Sequence, residues 1–350
     1  MQERAAAKDH GHMITTLLRS ALLPMAMSLS LAASPPETAT EARQDAARKL
    51  AANMGARSIH PMDHDARTTW AFLPGTRHGT RLSDMTPQQR DDAMALLRTL
   101  VSRNGYETVT GIFLLEGELR DRAIAAGRPD ASRDPDQYTF AIWGDPATPQ
   151  WAARVEGHHV SLNYTQTEDG MRMTPLFLGA APVRVLTGPR AGTAPLAHIE
   201  TIALALRNSL TAEQANLAIL SMKKPHDILL QPGRETSLLK LEGVPAGTLS
   251  GPQRGLLIRL VSAYSGLLAT DIGTAAQRRL LEGGPDAITF AWIGGTTPEA
   301  PRYWRLHGPD WIIEFDCVGN STDHVHTVWH DLRCNFGGDL LQQHLSNHDH

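Results

Sequence analysis

Two short blocks that recur about 150 residues apart constrain the fold of this chain more than any other feature. Residues 289–294 read Thr-Phe-Ala-Trp-Ile-Gly where residues 139–144 read Thr-Phe-Ala-Ile-Trp-Gly. Residues 305–308, Arg-Leu-His-Gly, likewise resemble residues 154–157, Arg-Val-Glu-Gly, and the offset of 150 to 151 residues is kept. Because chance rarely produces two matches in register, we predict that the chain contains two copies of one structural unit.

Each copy is predicted to begin with a helical hairpin. Thr86 suits an N-cap and Pro87 suits the first helical turn, and the apolar residues that follow recur at helical spacing. Gly105 is expected to end this helix. The other predicted helices of the two hairpins cover residues 109–126, a segment that starts at Ser250, and residues 274–281.

Strand signals follow each hairpin, as short apolar or alternating runs bounded by turn residues. The predicted strands cover residues 138–143, 151–155, 159–164 and 171–178 in the first copy, and 289–294, 311–316 and 324–330 in the second. We therefore predict an α+β fold, in which an internally duplicated unit of a helical hairpin plus antiparallel strands adopts a pseudo-twofold arrangement.

The same pattern predicts how the chain is divided. A single domain is expected over residues 58–344. It would contain the two repeats, 82–180 and 246–341, joined by a helical segment over 196–222. Residues 34–57 are predicted to be a polar N-terminal segment and residues 345–350 a flexible tail.

The N-terminus has the pattern of an export signal. Arg19 precedes an apolar run over residues 21–32, and Ser-Leu-Ala at 30–32 suits cleavage after Ala32. A run of ~12 residues is too short to span a bilayer. We predict a signal peptide over residues 1–33, a periplasmic or secreted product, and no membrane span in the mature chain. A disordered leader or a short buried helix is the alternative, and translation could start at Met1 or Met13.

Charge and motif content exclude several function classes. The formal net charge of −4 and the absence of a basic stripe argue against a nucleic-acid partner, which leaves a small-molecule substrate or a metal ion. The sequence has no GxSxG, HExxH, Walker or SxxK motif, so a conventional serine hydrolase, zincin or kinase is not indicated. Two cysteines occur, Cys317 and Cys334, and whether they form a disulfide is left open.

Histidine is the compositional outlier, with 16 residues, and the densest stretch covers residues 323–331. His324, His326 and His330 would share one face of an extended strand because their separations are even. Histidine is the commonest metal ligand in proteins. We therefore predict that His324 and His326 bind a metal. The alternative is a solvated, polar sheet face on which the histidines are incidental.

Two acidic residues on the preceding strand would face the same way. Glu314 and Asp316 are two residues apart, and pairing of the two strands would bring their carboxylates to the histidines. Mixed nitrogen and oxygen ligation suits zinc, copper, iron or manganese. We predict that these carboxylates complete the metal site or act as catalytic acids and bases.

A Gly-His-His stretch contributes the remaining candidates. Neighbouring residues of a strand point to opposite faces, so we expect only one of His158 and His159 to belong to a given site. His159 would share its face with Ser161 and Asn163 and is the predicted third ligand. His158 would face the core or move protons.

The predicted substrate contacts are Arg77, on a Gly-flanked loop, and Asn163. A loop arginine can equally be solvated. Glu116, within a predicted helix, is a further acid/base candidate.

Several of these motifs together resemble one bacterial family, a domain of unknown function named DUF3500. The resemblance is carried by Phe-Ala-Ile-Trp-Gly at 140–144, Glu-Gly-His-His at 156–159, Thr-Pro-Leu-Phe-Leu-Gly-Ala at 174–180, Ile-Glu-Phe-Asp at 313–316 and Asp-His-Val-His-Thr-Val-Trp at 323–329. It covers about residues 46–344 and brings no established reaction. It implies that Gly-His-His and His-x-His recur in the family, which favours functional roles for His158, His159, His324 and His326.

The chain departs from the family pattern in two places. After the acidic strand, the family has an Asp-Asn-Thr-Gln-Asn-like stretch where this chain has Asp-Cys-Val-Gly-Asn at 316–320. The family also tends to have arginine at the position of His330, so His330 is not expected to be a ligand.

These inferences combine into two hypotheses. The first is an exported metal-dependent enzyme, a hydrolase, in which His159, His324 and His326 hold the metal and Glu314, Asp316 or His158 moves protons. The second is a non-catalytic periplasmic protein that binds a metal or another ligand. A shared metal requires the imidazole nitrogens to lie within ~4–5 Å of one another, given metal–nitrogen distances of ~2 Å.

Overall fold

One large β-sheet runs through the molecule, with helices packed on one of its faces. The computed structural model describes residues 38–55, 58–130, 132–168 and 170–338. Over these residues the fold is α+β, with seven α-helices and one mixed sheet of thirteen strands. The predicted signal peptide and the predicted C-terminal tail lie outside the described residues.

The helices and strands alternate in blocks along the chain. The helices are α1 (Ala39–Asn53), α2 (Pro87–Leu100), α3 (Arg103–Ala125), α4 (Ala197–Ser209), α5 (Ala212–Ala218), α6 (Gly251–Ser265) and α7 (Thr270–Leu280). The strands are β1 (Ile59–His60), β2 (Thr80–Arg81), β3 (Thr139–Gly144), β4 (Trp151–Gly157), β5 (Val160–Thr167), β6 (Gly170–Arg172), β7 (Leu176–Ala180), β8 (Ile219–Ser221), β9 (Val244–Pro245), β10 (Thr289–Gly294), β11 (Arg302–His307), β12 (Trp311–Cys317) and β13 (Val325–Asp331).

The strand order places the two halves of the chain side by side. The main path runs β1-β3-β4-β5-β7-β13-β12-β11-β10-β8. The halves join where β7 pairs antiparallel with β13, which sets His326 opposite Gly179. At the two ends, β2 and β9 pair antiparallel with β3 and β10, and β1 and β8 pair parallel with the same two strands.

Local sequence signals explain where the helices begin. The Thr86 side chain accepts from the Gln89 backbone, and Pro87 occupies the first turn, as predicted for α2. The prediction that Gly105 ends this helix is wrong, because α2 ends at Leu100 and Gly105 lies in the first turn of α3. A Cβ at Gly105 would come within 1.9 Å of the Leu267 carbonyl oxygen, so close approach explains the glycine.

The main hydrophobic core lies between the helices and one face of the sheet. All seven helices contribute buried residues to it, as do alternate residues of the central strands such as Leu178, Ile313 and Trp329. The segment predicted as polar, 34–57, contains α1, and its Ala47 and Leu50 are fully buried in this core. Burial of one side of α1 therefore attaches this segment to the rest of the fold.

Two irregular segments cover the opposite face of the sheet. We call residues 61–79 the first strap and residues 222–242 the second strap. The two straps meet over the centre of the sheet in a smaller apolar cluster. Its buried members are Trp70, Phe72, Phe177, Ile228, Leu230, Ile312, Val328, Leu332 and Phe336.

Buried polar side chains of the sheet hold the first strap. Arg154 donates to the carbonyl oxygens of Ala66 and Arg67 at 3.0 and 2.8 Å. The Glu156 carboxylate accepts from the Ala71 N–H at 2.9 Å. Such contacts satisfy backbone groups that have no partner in regular secondary structure.

The second strap is held in the same way. The carboxylate of Glu314, which is fully buried, accepts from the backbone N–H groups of Leu229 and Leu230 at 3.1 and 2.8 Å. The Tyr303 hydroxyl donates to the same carboxylate at 2.5 Å.

The two cysteines do not form a disulfide. Cys317, which is buried, and Cys334, which is half-buried, are both free thiols.

Among the described residues, no helix is both long enough and apolar enough to cross a membrane.

Candidate metal centre

Three histidines meet where the two halves of the sheet join. His159 lies in the turn between β4 and β5, His324 immediately precedes β13, and His326 is the second residue of β13. His159 and His326 are buried, and His324 is half-buried.

The ring nitrogens of these histidines converge on one point. The Nε2 atoms of His159 and His324 are 2.9 Å apart, and those of His324 and His326 are 3.1 Å apart. Nitrogen atoms of all three lie within 4.8 Å of one another. Two imidazole nitrogens ~2.0–2.1 Å from one metal ion are ~3 Å apart, so this arrangement fits a single ion.

The turn that carries His159 does not follow the expected strand pattern. Residues 158–159 form a tight turn, and His159 has a left-handed backbone with φ of 66°. The rings of His158 and His159 therefore stack, with centroids 3.6 Å apart, and the prediction that they face opposite sides of a strand is wrong. The turn is fixed by the His159 N–H, which donates to Phe72 O at 3.2 Å, and by Gly179 N–H, which donates to His159 O at 2.8 Å.

Gly179 leaves room for two of the imidazoles. A Cβ at this position would lie 2.8 Å from Cδ2 of His159 and 2.9 Å from Cδ2 of His326. Contacts this short are not tolerated in packed interiors, so only glycine fits between the rings.

An aspartate that the sequence reading missed supports His326. Asp227 Oδ1, on the second strap, is 2.7 Å from Nδ1 of His326. A carboxylate that accepts from the second nitrogen of a ligating histidine fixes the ring and the tautomer. Asp227 lies in an irregular loop, Lys-Lys-Pro-His-Asp at 223–227, and no periodic signal marks it in the sequence.

The environment favours neutral imidazoles, which is the form that binds metals. Burial and the neighbouring histidines hold the pKa of His159 well below its ordinary value. The same causes lower the pKa of His324 to about 4. Protons therefore compete weakly with a cation at neutral pH.

A second polar group adjoins the cluster. The carboxylate of Glu116, on α3, makes a very short contact with Nδ1 of His158. Nη1 of Arg133 lies 2.6 Å from the same Nδ1 and 3.1 Å from Nε2 of the ring. A guanidinium only donates and a carboxylate only accepts, so His158 lies between a donor and an acceptor and uses both of its nitrogens in these contacts. Burial lowers the pKa of His158, which favours its neutral form.

A cleft of about 840 Å³ ends at this second group. Its walls include Arg77, Tyr138, His158 and Glu116. None of the three convergent histidines lines it, so His158 and Glu116 separate the cleft from the cluster.

The other sequence candidates lie around the cluster. Asp316 is opposite His326 on β12 and is paired with Lys224 at 3.1 Å, and burial raises its pKa to about 8. Glu314 anchors the second strap and is not among the groups that could share an ion with the histidines.

The two predicted substrate contacts differ in position. Arg77 lines the cleft, but its guanidinium donates to carbonyl oxygens of its own loop, one of them Gly75 O at 2.9 Å. Asn163 is buried and accepts from Arg154 at 2.5 Å, away from the cleft lining.

The third histidine of the C-terminal stretch lies elsewhere. His330 is fully buried, where its Nε2 contacts Leu230 O at 3.1 Å and its Nδ1 contacts the Asn335 amide at 2.7 Å. It is not in the metal-compatible group, as the resemblance implied.

Comparison with known proteins establishes the family. A family model described as "Protein of unknown function (DUF3500)" matches residues 32–338, which is nearly the whole chain. The chain therefore belongs to this family. No curated protein and no solved structure matches it.

Proposed function

We propose that this member of the DUF3500 family is a metal-dependent enzyme, most readily a hydrolase, that holds one metal ion with His159, His324 and His326. The observation that carries the proposal is the convergence of three Nε2 atoms from two distant parts of the chain. That of His324 lies 2.9 Å from that of His159 and 3.1 Å from that of His326. Three Nε2 atoms this close can share at most the protons of one another, whereas a cation between them would accept all three lone pairs at once.

Three further observations support a metal here. Asp227 backs one ligand, Gly179 makes room for two of them, and burial lowers the pKa of His159 and of His324, which favours their neutral form. Three protein ligands leave a coordination position open, as in catalytic zinc sites. A metal bound there would supply Lewis acidity and would acidify a water molecule. Imidazole ligands suit zinc, copper and iron better than manganese, which prefers oxygen ligands.

Substrate binding and proton transfer are the other roles that we propose for residues of this chain. The cleft would admit a small-molecule substrate, and His158, which borders it and contacts Glu116, is the group we propose to hold or move a proton. We assign Asp316 to pairing with Lys224 of the second strap and Glu314 to holding the backbone of the same strap. Arg77 would shape the cleft wall.

A non-catalytic metal-binding protein is the second candidate. The observation in its favour is that the cleft lining includes none of the three ligands. A protein that only carries a metal needs no substrate access to it.

We also propose that the protein is exported to the periplasm or secreted, and that its two halves arose by duplication. Only the N-terminal sequence pattern supports export. The duplication is supported by the recurring blocks and by the strand order of the sheet. In that order, β3-β4-β5-β7 is followed by β13-β12-β11-β10, which repeats the same four-strand pattern in reverse.

Metal analysis of untagged protein tests the metal site. We expect about one equivalent of zinc, copper or iron in the wild type, and none in His324→Ala/His326→Ala. His198→Ala, a histidine of α4, is the control and should keep the metal. The proposal is wrong if the wild type binds none of these ions, or if the double variant binds the metal as well as the wild type does.

Activity separates the two candidates. The metal-loaded wild type should cleave at least one ester, amide or phosphoester probe, and the double variant should not. Stoichiometric metal with no turnover across such probes would favour the carrier.

A further inference from the structure

We infer that Glu116 is the hydrogen-bond acceptor that orients His159 in the metal-bound protein, and so is a positioning residue of the centre. This rests on the proposed three-histidine site and adds a residue to it. The evidence is a pair of buried polar atoms that have no hydrogen-bond partner.

The first is Nδ1 of His159, and the second is Oε2 of Glu116. Both are buried and neither has a hydrogen-bond partner among the described residues. A carboxylate oxygen of Glu116 and a ring nitrogen of His159 lie within 4.8 Å of each other. Leaving a buried donor and a buried acceptor unpaired costs ~1–3 kcal/mol each, so an arrangement that pairs them is favoured.

Metal binding makes Nδ1 of His159 the donor and the Glu116 carboxylate the acceptor. A neutral imidazole that binds a metal through Nε2 carries its proton on Nδ1. His159 would then carry an N–H close to a carboxylate whose Oε2 accepts no hydrogen bond. A small rotation of the ring, or one bridging water, joins two such groups.

The same arrangement already exists at another ligand. Nδ1 of His326 lies 2.7 Å from the Asp227 carboxylate. With Glu116 behind His159, one ligand from each half of the chain would have its own carboxylate, one from α3 and one from the second strap.

A second metal ion is the competing interpretation, because Glu116, His158 and His159 are also close enough to share one. The charges argue against it. Arg133 lies 3.7 Å from Oε2 of Glu116 and 3.1 Å from Nε2 of His158, so a cation already occupies this place. Both nitrogens of His158 already have partners, since Arg133 contacts each of them and Glu116 contacts Nδ1, so neither nitrogen is left for a metal.

Zinc titration of three variants tests the inference. Glu116→Leu removes the acceptor, and we expect zinc affinity to fall ~10–100-fold. Glu116→Gln keeps an acceptor oxygen and should restore most of the affinity. Glu118→Leu removes another partly buried, ion-paired carboxylate of α3 and should bind zinc like the wild type.

A spectroscopic measurement on the wild type does not depend on whether a variant folds. In the zinc-loaded protein, NMR should show a slowly exchanging Nδ1–H of His159, and Glu116→Gln should shift this signal without removing it.

Each remaining outcome overturns the inference in a recognisable way. Unchanged affinity in Glu116→Leu, or rapid exchange of Nδ1–H, refutes the role of Glu116 and leaves the three-histidine centre intact. Loss of one of two bound zinc equivalents in Glu116→Leu would establish the second metal instead. A wild type without zinc affinity would remove the centre itself.

Discussion

At the scale of single residues, two backbone positions determine whether the three imidazoles can meet. His159 adopts a left-handed backbone, which turns its ring out of the strand pattern and onto His158. Gly179 lies between His159 and His326 with no side chain. Pairing of the strands requires neither a histidine at position 159 nor a glycine at position 179. The histidine cluster that they form explains both residues.

Gly179→Ala should therefore damage the site. Its Cβ would lie within 2.9 Å of both rings, so the imidazoles must move apart. We expect zinc affinity to fall at least ~10-fold, and overpacking of this kind costs ~1–3 kcal/mol of unfolding free energy. Calorimetric zinc titration and urea unfolding measure the two effects.

A matched glycine serves as control for this change. In Gly111→Ala, on α3, the new Cβ would meet Pro195 at 3.5 Å, an ordinary contact. Zinc affinity should stay unchanged there, and stability should rise by up to ~1 kcal/mol because alanine favours the helix. Equal zinc binding by the two alanine variants would contradict the crowding argument.

Asp227→Ala tests the support of His326. Without the carboxylate 2.7 Å from Nδ1, the ring loses its fixed orientation, and we expect zinc affinity to fall ~10–100-fold. Glu235→Ala removes a different contact of the same strap, to Trp70 Nε1 at 3.0 Å, and should leave zinc affinity unchanged. If both variants lose zinc affinity to the same extent, the loss would be caused by damage to the strap rather than by removal of the carboxylate.

The sequence could predict part of this site. His324 and His326 are two residues apart beside a strand, and period-two alternation suffices to bring them together. The sequence also predicts that His159 lies near His324 and His326, as it does, but through a strand argument that its turn does not obey. Asp227 was out of reach, because its position depends on a loop held by side chains of a distant strand.

At the scale of elements, the two straps are what distinguishes this sheet from a simple helix-covered one. Each strap is irregular because its backbone groups bond to buried side chains of the sheet, such as Arg154 and Glu314, rather than to a neighbouring strand. Most helices and central strands could be predicted because capping and apolar period are local, whereas α1 lies in a segment predicted only to be polar. The straps could not be, since their partners lie far away in the chain.

The buried Asp316 carboxyl, which contacts Lys224 of the second strap, makes stability depend on pH. The folded pKa of Asp316 is about 8, whereas an unfolded aspartate titrates near ~3.9. Between these values the folded state holds a proton that the unfolded state has released, so the unfolding free energy falls as pH rises. We expect the stability of the wild type relative to Asp316→Asn to decrease from pH 5 to pH 8, in urea unfolding with a chelator present.

A relative stability that stays constant or increases over that range would show that Asp316 is already ionised at low pH. Lys224, 3.1 Å away, lowers the carboxyl pKa, so Lys224→Met should move the decrease to higher pH.

At the scale of the whole molecule, the candidate centre lies on the seam between the two halves. β7 and β13 pair there, and the ligands His159 and His324 are 165 residues apart in the chain. A bound metal would therefore cross-link the first half to the second. The recurring blocks predict two units but do not predict that the histidines meet between β7 and β13, because the register of these strands depends on packing of residues far apart in the chain.

Metal binding should consequently stabilise the entire fold rather than one loop. A ligand that binds only the folded state at ~100 times its Kd adds ~2.7 kcal/mol of unfolding free energy. At ~2–4 °C per kcal/mol for a domain of ~150–250 residues, zinc should raise Tm by several degrees. Hydrogen exchange should slow in β5, β7 and β13 together, from both halves, with little change in the exposed turns. His324→Ala/His326→Ala should show neither effect. Protection confined to β13 alone would mean that the ion does not join the two halves.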